Sequence, residues 1–229
     1  MREARPYYEA YDERYKQIHT ADLQWFSDSP SKIVGETMAR YGVSTASEIL
    51  EIGCGEGRDA AYLRRKGYRV LATDVSPAAI AFCWDKFPEI SSSFQVMDCL
   101  HDRLKEHFDF IYAVCVLHML VLDEDRKRFY QFLYEQLKEK GIALICTLSS
   151  EEEWQTDISE AFALQKRTHG ATGKDLYIAG TSCRVAGFST LKKELAENHL
   201  VLLESGRTSI EPDFPDIRYL VVKRSSAAG

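Results

Sequence analysis

Three glycines spaced two residues apart, directly after a short apolar run, constrain this chain more than any other feature. The stretch reads Glu51-Ile52-Gly53-Cys54-Gly55-Glu56-Gly57-Arg58-Asp59. Without side chains at 53, 55 and 57, a ligand can approach the backbone closely at a strand-to-helix turn. The helix beyond offers unpaired amide donors and positive potential at its N-terminus. The spacing is GxGxG, where a dinucleotide fold carries GxGxxG. Glu51 closes the strand just before the turn. A carboxylate there suits a cationic group and does nothing for a pyrophosphate.

The flanking sequence alternates between strands and helices. Strands are expected at 47–52, 68–73, 93–97, 108–114 and 141–148. A helix is expected at 57–66, and Ser76-Pro77 is a helix start with Ser as N-cap. Another helix is expected over 123–139. It opens with Asp123, Glu124 and Asp125 and closes with Lys138 and Lys140, complementing the helix dipole, with Gly141 as its stop. Strands separated by helices imply right-handed βαβ units and a mostly parallel, doubly wound α/β sheet, with the ligand crevice at the strands' carboxyl ends. A late helix is expected near 190–198.

Two more acids fall at such strand ends. Asp74 closes the second strand, where a carboxylate can accept from both hydroxyls of a ribose. The plain alternative is an acid that merely precedes the cap at Ser76. In Met97-Asp98-Cys99, Asp98 can meet an adenine amino group while the Cys99 amide meets the ring. The alternative there is a simple turn.

Taken in order, Glu-Ile-Gly-Cys-Gly-Glu-Gly, Asp74 and Asp98 resemble the first three motifs of class I S-adenosylmethionine-dependent methyltransferases. The run from Phe108 to His118 resembles their fourth strand and its loop, and Gly141-Ile142-Ala143-Leu144 their fifth. The resemblance covers roughly 45–148. The Gly-Arg-Asp form of the first motif, with Trp25 upstream, is also similar to the tellurite-resistance and thiopurine methyltransferase branch. The resemblance implies a Rossmann-like, seven-stranded sheet of order 3-2-1-4-5-7-6, with the seventh strand antiparallel and the last two at 200–205 and 217–223. It implies S-adenosyl-L-methionine as methyl donor and S-adenosyl-L-homocysteine as product. The implied cofactor residues are Trp25, Glu51, Gly53, Cys54, Gly55, Arg58, Asp74, Val75, Asp98, Cys99 and Val114.

The chain is expected to form a single domain over 1–229, with 46–149 as its cofactor half and 189–224 as the final helix and strands. Residues 1–45 carry Tyr7, Tyr8, Tyr11, Tyr15, Trp25 and Phe26, which either pack onto the sheet or form an N-terminal helical lid. Residues 150–188 form a polar, glycine-bearing insertion on the substrate side. The end, Ser225-Ser226-Ala227-Ala228-Gly229, reads as a frayed tail.

The acceptor is expected to be a small molecule attacking through O, N or S, and no motif names it. His118 is the first candidate base, against a histidine that packs under adenine or caps a helix. His169 is a candidate substrate contact or a surface-loop residue. Arg184 either binds an acceptor carboxylate or makes a structural ion pair. A non-catalytic cofactor-binding protein is one alternative reading. A nicotinamide oxidoreductase is another, and it would need GxGxxG and a Tyr-x-x-x-Lys dyad. No Asn-Pro-Pro-Tyr or Asp-Pro-Pro-Tyr follows the fourth strand, so the usual arrangement for methylating a flipped base is missing.

The formal net charge of -6 and pI near 5.6 give no basic field for nucleic acid or anionic membrane. The first residues, Met1-Arg2-Glu3-Ala4-Arg5-Pro6, lack a signal peptide's apolar stretch, and no apolar run is long enough to span a bilayer. A cytoplasmic monomer or homodimer is the expectation. The six cysteines (54, 83, 99, 115, 146 and 183) form no CxxC pair, so neither a metal site nor a disulfide framework is expected.

Overall fold

A strand that is apolar on both faces must be covered twice, and residues 108–114 make such a strand. The computed structural model describes residues 5–225. Helices α1 (Ala10–Thr20) and α2 (Lys32–Arg40) precede β1 (Glu48–Ile52), α3 (Arg58–Arg65) and β2 (Arg69–Asp74). Next come α4 (Pro77–Lys86), β3 (Phe94–Val96), β4 (Phe108–Val114), α5 (Asp123–Gln136) and β5 (Leu137–Leu148). Four short strands follow: β6 (Trp154–Gln155), β7 (Leu164–Thr168), β8 (Asp175–Ala179) and β9 (Arg184–Val185). The fold finishes with α6 (Phe188–Glu197), β10 (Leu200–Ile210) and β11 (Phe214–Arg224).

Seven strands form one sheet in the order β10-β11-β5-β4-β1-β2-β3. The last strand therefore lies between the fifth and the penultimate one, and it runs antiparallel to both neighbours. With the four short strands left out of the numbering, this is the expected order. Side chains alternate across the pleat. On β4, Ile111 and Ala113 join one core layer with Phe129, Phe132 and Leu133 of α5 and Leu191 and Leu195 of α6. Phe110 and Tyr112 join the other, with Ile33 and Met38 of α2, Leu63 of α3 and Ile80 of α4. Ser76 caps α4 as expected, its Oγ accepting from the Ala79 amide at 3.0 Å.

Two expectations need correction. The helix over 123–139 ends earlier, at Gln136, and Leu137 already has extended backbone (φ -72°, ψ 137°). Leu137 is fully buried and pairs with Phe108, so burial draws the chain into β5 before the lysines are reached. Gly141 is therefore no helix stop. It sits inside β5 at a register shift, where a Cβ would lie 2.7 Å from the Phe108 carbonyl oxygen. Lys138, read as a dipole partner, instead bonds Asp109 at 2.7 Å. Second, the two final strands extend well beyond 200–205 and 217–223. The 150–188 insertion holds paired strands, β6 with β9, and β7 with β8 as an antiparallel hairpin.

Of the expected frayed tail, 226–229 lie outside the described residues, as do residues 1–4. Among the described residues no helix is long and apolar enough to cross a membrane.

Gly141→Val should lower stability by about 2 kcal/mol through overpacking against the Phe108 carbonyl. Urea unfolding should show an earlier midpoint with an unchanged slope.

Candidate active site

The glycine turn begins where β1 stops. Gly53 (φ 71°) and Gly55 (φ 52°) adopt left-handed backbone, which glycine enters without steric cost. Space excludes a side chain as well. A Cβ on Gly53 would overlap Val116 Cγ2, and one on Gly55 would lie 2.6 Å from the Tyr15 hydroxyl. The Gly55 amide donates to Asp74 Oδ2 at 2.8 Å, and the Ser76 amide donates to Oδ1 at 2.9 Å. Asp74 thus ties the glycine turn to the start of α4. Burial pushes its carboxyl up to about 6, although both amide bonds favour the charged form.

Over these strand ends lies a cavity of about 400 Å³, in the ordinary range for a small-molecule site. Trp25, Glu51, Gly53, Cys54, Gly55, Arg58, Asp74, Val75, Asp98, Cys99 and Val114 all line it. Tyr8, Tyr11, Tyr15, Trp25 and Phe26 form much of its roof. Glu51 is buried, and its Oε2 has no hydrogen-bond partner among the described residues. Burial, with the nearby Asp59 charge adding to it, holds this carboxyl well above the usual carboxylate range. A buried carboxyl without a partner is costly, and a cationic ligand group would relieve it. Asp98 accepts from the Tyr8 hydroxyl and the Leu100 amide, each at 2.9 Å, and its Oδ2 lies 2.9 Å from His101 Nδ1.

An acid the sequence reading missed, Glu56, fastens the roof. Its carboxylate accepts from the Trp25 amide at 2.8 Å and the Phe26 amide at 2.9 Å, and lies 3.0 Å from His19 Nε2. Arg58 donates to Asp213 at 2.5 Å, and Asp213 also accepts from Ser27 Oγ at 2.9 Å. Asp59 accepts from the Ser31 amide and hydroxyl at 2.6 and 2.7 Å. Arg14, Gln165, Arg167 and Thr181 also line the cavity and were not foreseen. Their only sequence signal was membership of the two segments outside the strand-helix rhythm.

The three candidate catalytic residues separate. His118 lines the cavity, but burial beside Arg126 pushes its imidazole down to about 3. It is neutral near neutral pH and too weak a base to take a proton efficiently there. His169 does not line the cavity. It is buried under the β7–β8 turn, where Nδ1 accepts from the Thr172 amide and Nε2 lies 2.7 Å from the Gln24 carbonyl oxygen. Arg184 also falls elsewhere, bonding the Val121 carbonyl at 3.0 Å and Asp123 at 2.5 Å. Cys54, Cys99, Cys115 and Cys183 all line the cavity, and burial raises the Cys115 thiol to about 12. Among the described residues, no three His, Cys, Asp or Glu side chains are grouped to hold a metal ion.

A doubly wound sheet with a glycine turn and acids at its carboxyl ends defines a Rossmann-like ligand-binding protein. Residues 50–145 match the family model described as a methyltransferase domain. Methyltransferase GfsG of Streptomyces halstedii is 28% identical over 182 residues, covering 70% of this chain and 64% of that protein. TehB of Haemophilus influenzae, a probable S-adenosyl-L-methionine-dependent methyltransferase, is 28% identical over 90 residues, 38% of this chain and 32% of its own. The chain spans about half the length of the curated relatives it matches. Among solved structures, it resembles the 1,6-didemethyltoxoflavin-N1-methyltransferase of Burkholderia thailandensis, with its acceptor and S-adenosylhomocysteine bound. The TM-score is 0.69 at 17% identity, over 97% of this chain and 92% of that one. In fold this chain is similar to S-adenosylmethionine-dependent methyltransferases, and the methyltransferase-domain match falls on the half that carries the glycine turn and the strand-end acids.

Glu56→Gln should free the roof without disturbing the sheet. Hydrogen exchange at the Trp25 and Phe26 amides should quicken by about tenfold or more, with β1 and β4 amides unchanged.

Proposed function

We propose that this protein transfers the methyl group of S-adenosyl-L-methionine to an O, N or S nucleophile on a small molecule, releasing S-adenosyl-L-homocysteine. The observation that carries the reading is the buried Glu51 Oε2, without a partner among the described residues, beside a glycine turn that no side chain could fill. A cationic amino group is the partner it lacks. Asp74 and Asp98 extend the same row of acids. Each Asp74 oxygen takes one backbone amide and keeps acceptor capacity for ribose hydroxyls. Asp98 would take the adenine amino group, with the Cys99 amide for the ring. Val75, Val114 and Cys54 give apolar and backbone surface between these acids, while Trp25 and Arg58 close the roof side.

When bound, the cofactor supplies an electrophilic methyl on a sulfonium centre. The protein's own part is alignment and exclusion of water. Glu51 and Asp74 fix orientation, and the aromatic roof, fastened by Glu56, covers the crevice. His118, neutral near neutral pH, is no general acid there and accepts a proton only weakly. An amine or thiol acceptor, needing little help with its proton, suits this site better than a hydroxyl. The donor is carried over from the similar Burkholderia enzyme; its acceptor is not. The net charge of -6 argues against a nucleic acid substrate, and we place the protein in the cytoplasm as a monomer or homodimer.

Calorimetric titration should give micromolar binding of S-adenosylhomocysteine and no binding of NAD or NADP. Nicotinamide binding, or no binding at all, would overturn the reading. Binding without turnover of any screened amine or thiol would favour a non-catalytic role.

Affinity should also follow the Asp74 charge. Its carboxyl is raised to about 6, so the acceptor form declines as pH falls through that value. Binding should weaken by about tenfold from pH 7 to pH 5. Asp74→Asn should bind at least about tenfold more weakly at pH 7 and lose this pH dependence.

A further inference from the structure

The roof of the cavity carries two cations, Arg14 and Arg167, that no carboxylate pairs with among the described residues. Arg14, on α1, is buried, and its Nε donates to the Ala179 carbonyl at 3.0 Å. Its two terminal nitrogens have no protein partner, and no carboxylate lies within ion-pair distance, among the described residues. The other buried arginines differ. Arg126 is held by both carboxylate oxygens of Glu194, and both terminal nitrogens of Arg218 donate to backbone carbonyls. Arg167, on β7, lines the same cavity from its exposed edge. One of its terminal nitrogens donates to Gln165 at 3.0 Å, and no carboxylate pairs with it among the described residues. Glu160 is also on the rim and is paired with neither.

Burial lowers the Arg14 guanidinium from its ordinary value, and the nearby charge of Arg167 lowers it further. A buried guanidinium with no carboxylate paired to it, with a second cation on the same cavity wall, is unfavourable unless a ligand supplies an anionic partner. The free fork of Arg14 matches the two oxygens of a carboxylate or phosphate. Tyr11, Trp25, Phe214 and Thr181 line the same cavity. The guanidinium carbon of Arg14 lies 5.2 Å from the Tyr11 ring centroid and 5.6 Å from that of Trp25. Flat apolar walls beside a cationic fork suit an aromatic or other planar anion.

We propose that Arg14 and Arg167 bind an oxyanion group, a carboxylate or a phosphate, of the methyl acceptor. The inference rests on the methyl-transfer reading and narrows it to an anionic, partly aromatic acceptor. The donor's recognition groups, Glu51, Asp74 and Asp98, are acids on the strand ends. The arginines come instead from α1 and the β7–β8 hairpin, and Arg167 is exposed at the edge of the cavity.

The test is calorimetry on the full chain saturated with S-adenosylhomocysteine. The probes are 4-aminobenzoate, its neutral counterpart 4-aminobenzamide, and phenyl phosphate. At least one oxyanion should bind about tenfold or more tightly than the amide. Arg167→Gln, at an exposed position, should retain the fold and reduce that preference to about threefold or less. Arg14→Gln should do the same where circular dichroism shows it folded; if it is not, Arg167→Gln alone decides. S-adenosylhomocysteine affinity should stay within about threefold in both variants. Equal binding of all three probes, or of none, would overturn the proposal. So would variants that lose S-adenosylhomocysteine and keep the oxyanion preference, since the arginines would then hold the methionyl carboxylate. Failure of the unaltered protein to bind S-adenosylhomocysteine would defeat the methyl-transfer reading instead. The same titrations without it would still read the arginine pair.

Discussion

The cavity depends first on one carboxylate. Asp74 receives the Gly55 amide on one oxygen and the Ser76 amide on the other, so the turn after β1 and the start of α4 are held at a fixed separation. Ser76 passes the constraint onward. Its hydroxyl donates to Asp12 on α1 at 2.8 Å, and Asp12 also accepts from the Ala78 amide at 3.0 Å. An acid from α1 thus sits at the N-terminus of α4, where backbone donors are unpaired and the dipole favours negative charge. The floor of the site and its first roof helix are therefore set by one short chain of hydrogen bonds.

The rest of the roof is held by the same chemistry. Residues between α1 and α2 form no helix or strand, yet three acids seize their backbone and hydroxyl donors. Glu56 takes Trp25 and Phe26, Asp213 takes Ser27, and Asp59 takes Ser31. A bond to a charged acceptor contributes about 1.5–3 kcal/mol, more than a neutral one. Several such bonds offset the entropy of fixing an irregular segment. The acids that give the chain its negative charge therefore serve mainly as internal acceptors here.

The glycine turn and the acids around it were legible in the sequence because their determinants are local. A glycine, an acid or an N-cap at a strand end acts within a few residues of itself, and all eleven residues named from the motifs line the cavity. Gly141 was misread because a glycine after a charged helical stretch looks like a C-cap, while its reason, the Phe108 carbonyl, comes from another strand. His169 and Arg184 were placed by residue type alone. Their partners, Gln24 and Val121, are distant in sequence, and no local pattern announces them. Glu56 was passed over for the same reason: an acid between glycines reveals nothing about amides that arrive from thirty residues upstream. Arg14 and Arg167 reach the same cavity only because α1 packs on β8, the partner strand of β7.

That packing joins the two outer segments firmly. Arg14 and Gln17 of α1 bond the Ala179 carbonyl and amide at the end of β8, and His169 reaches from the hairpin turn to the Gln24 carbonyl. Helix α1 and the β7–β8 hairpin are thereby stitched into one panel across the cavity. Neither segment of such a panel can lift from the cavity without breaking bonds to the other, so that side of the cavity opens only when both move together.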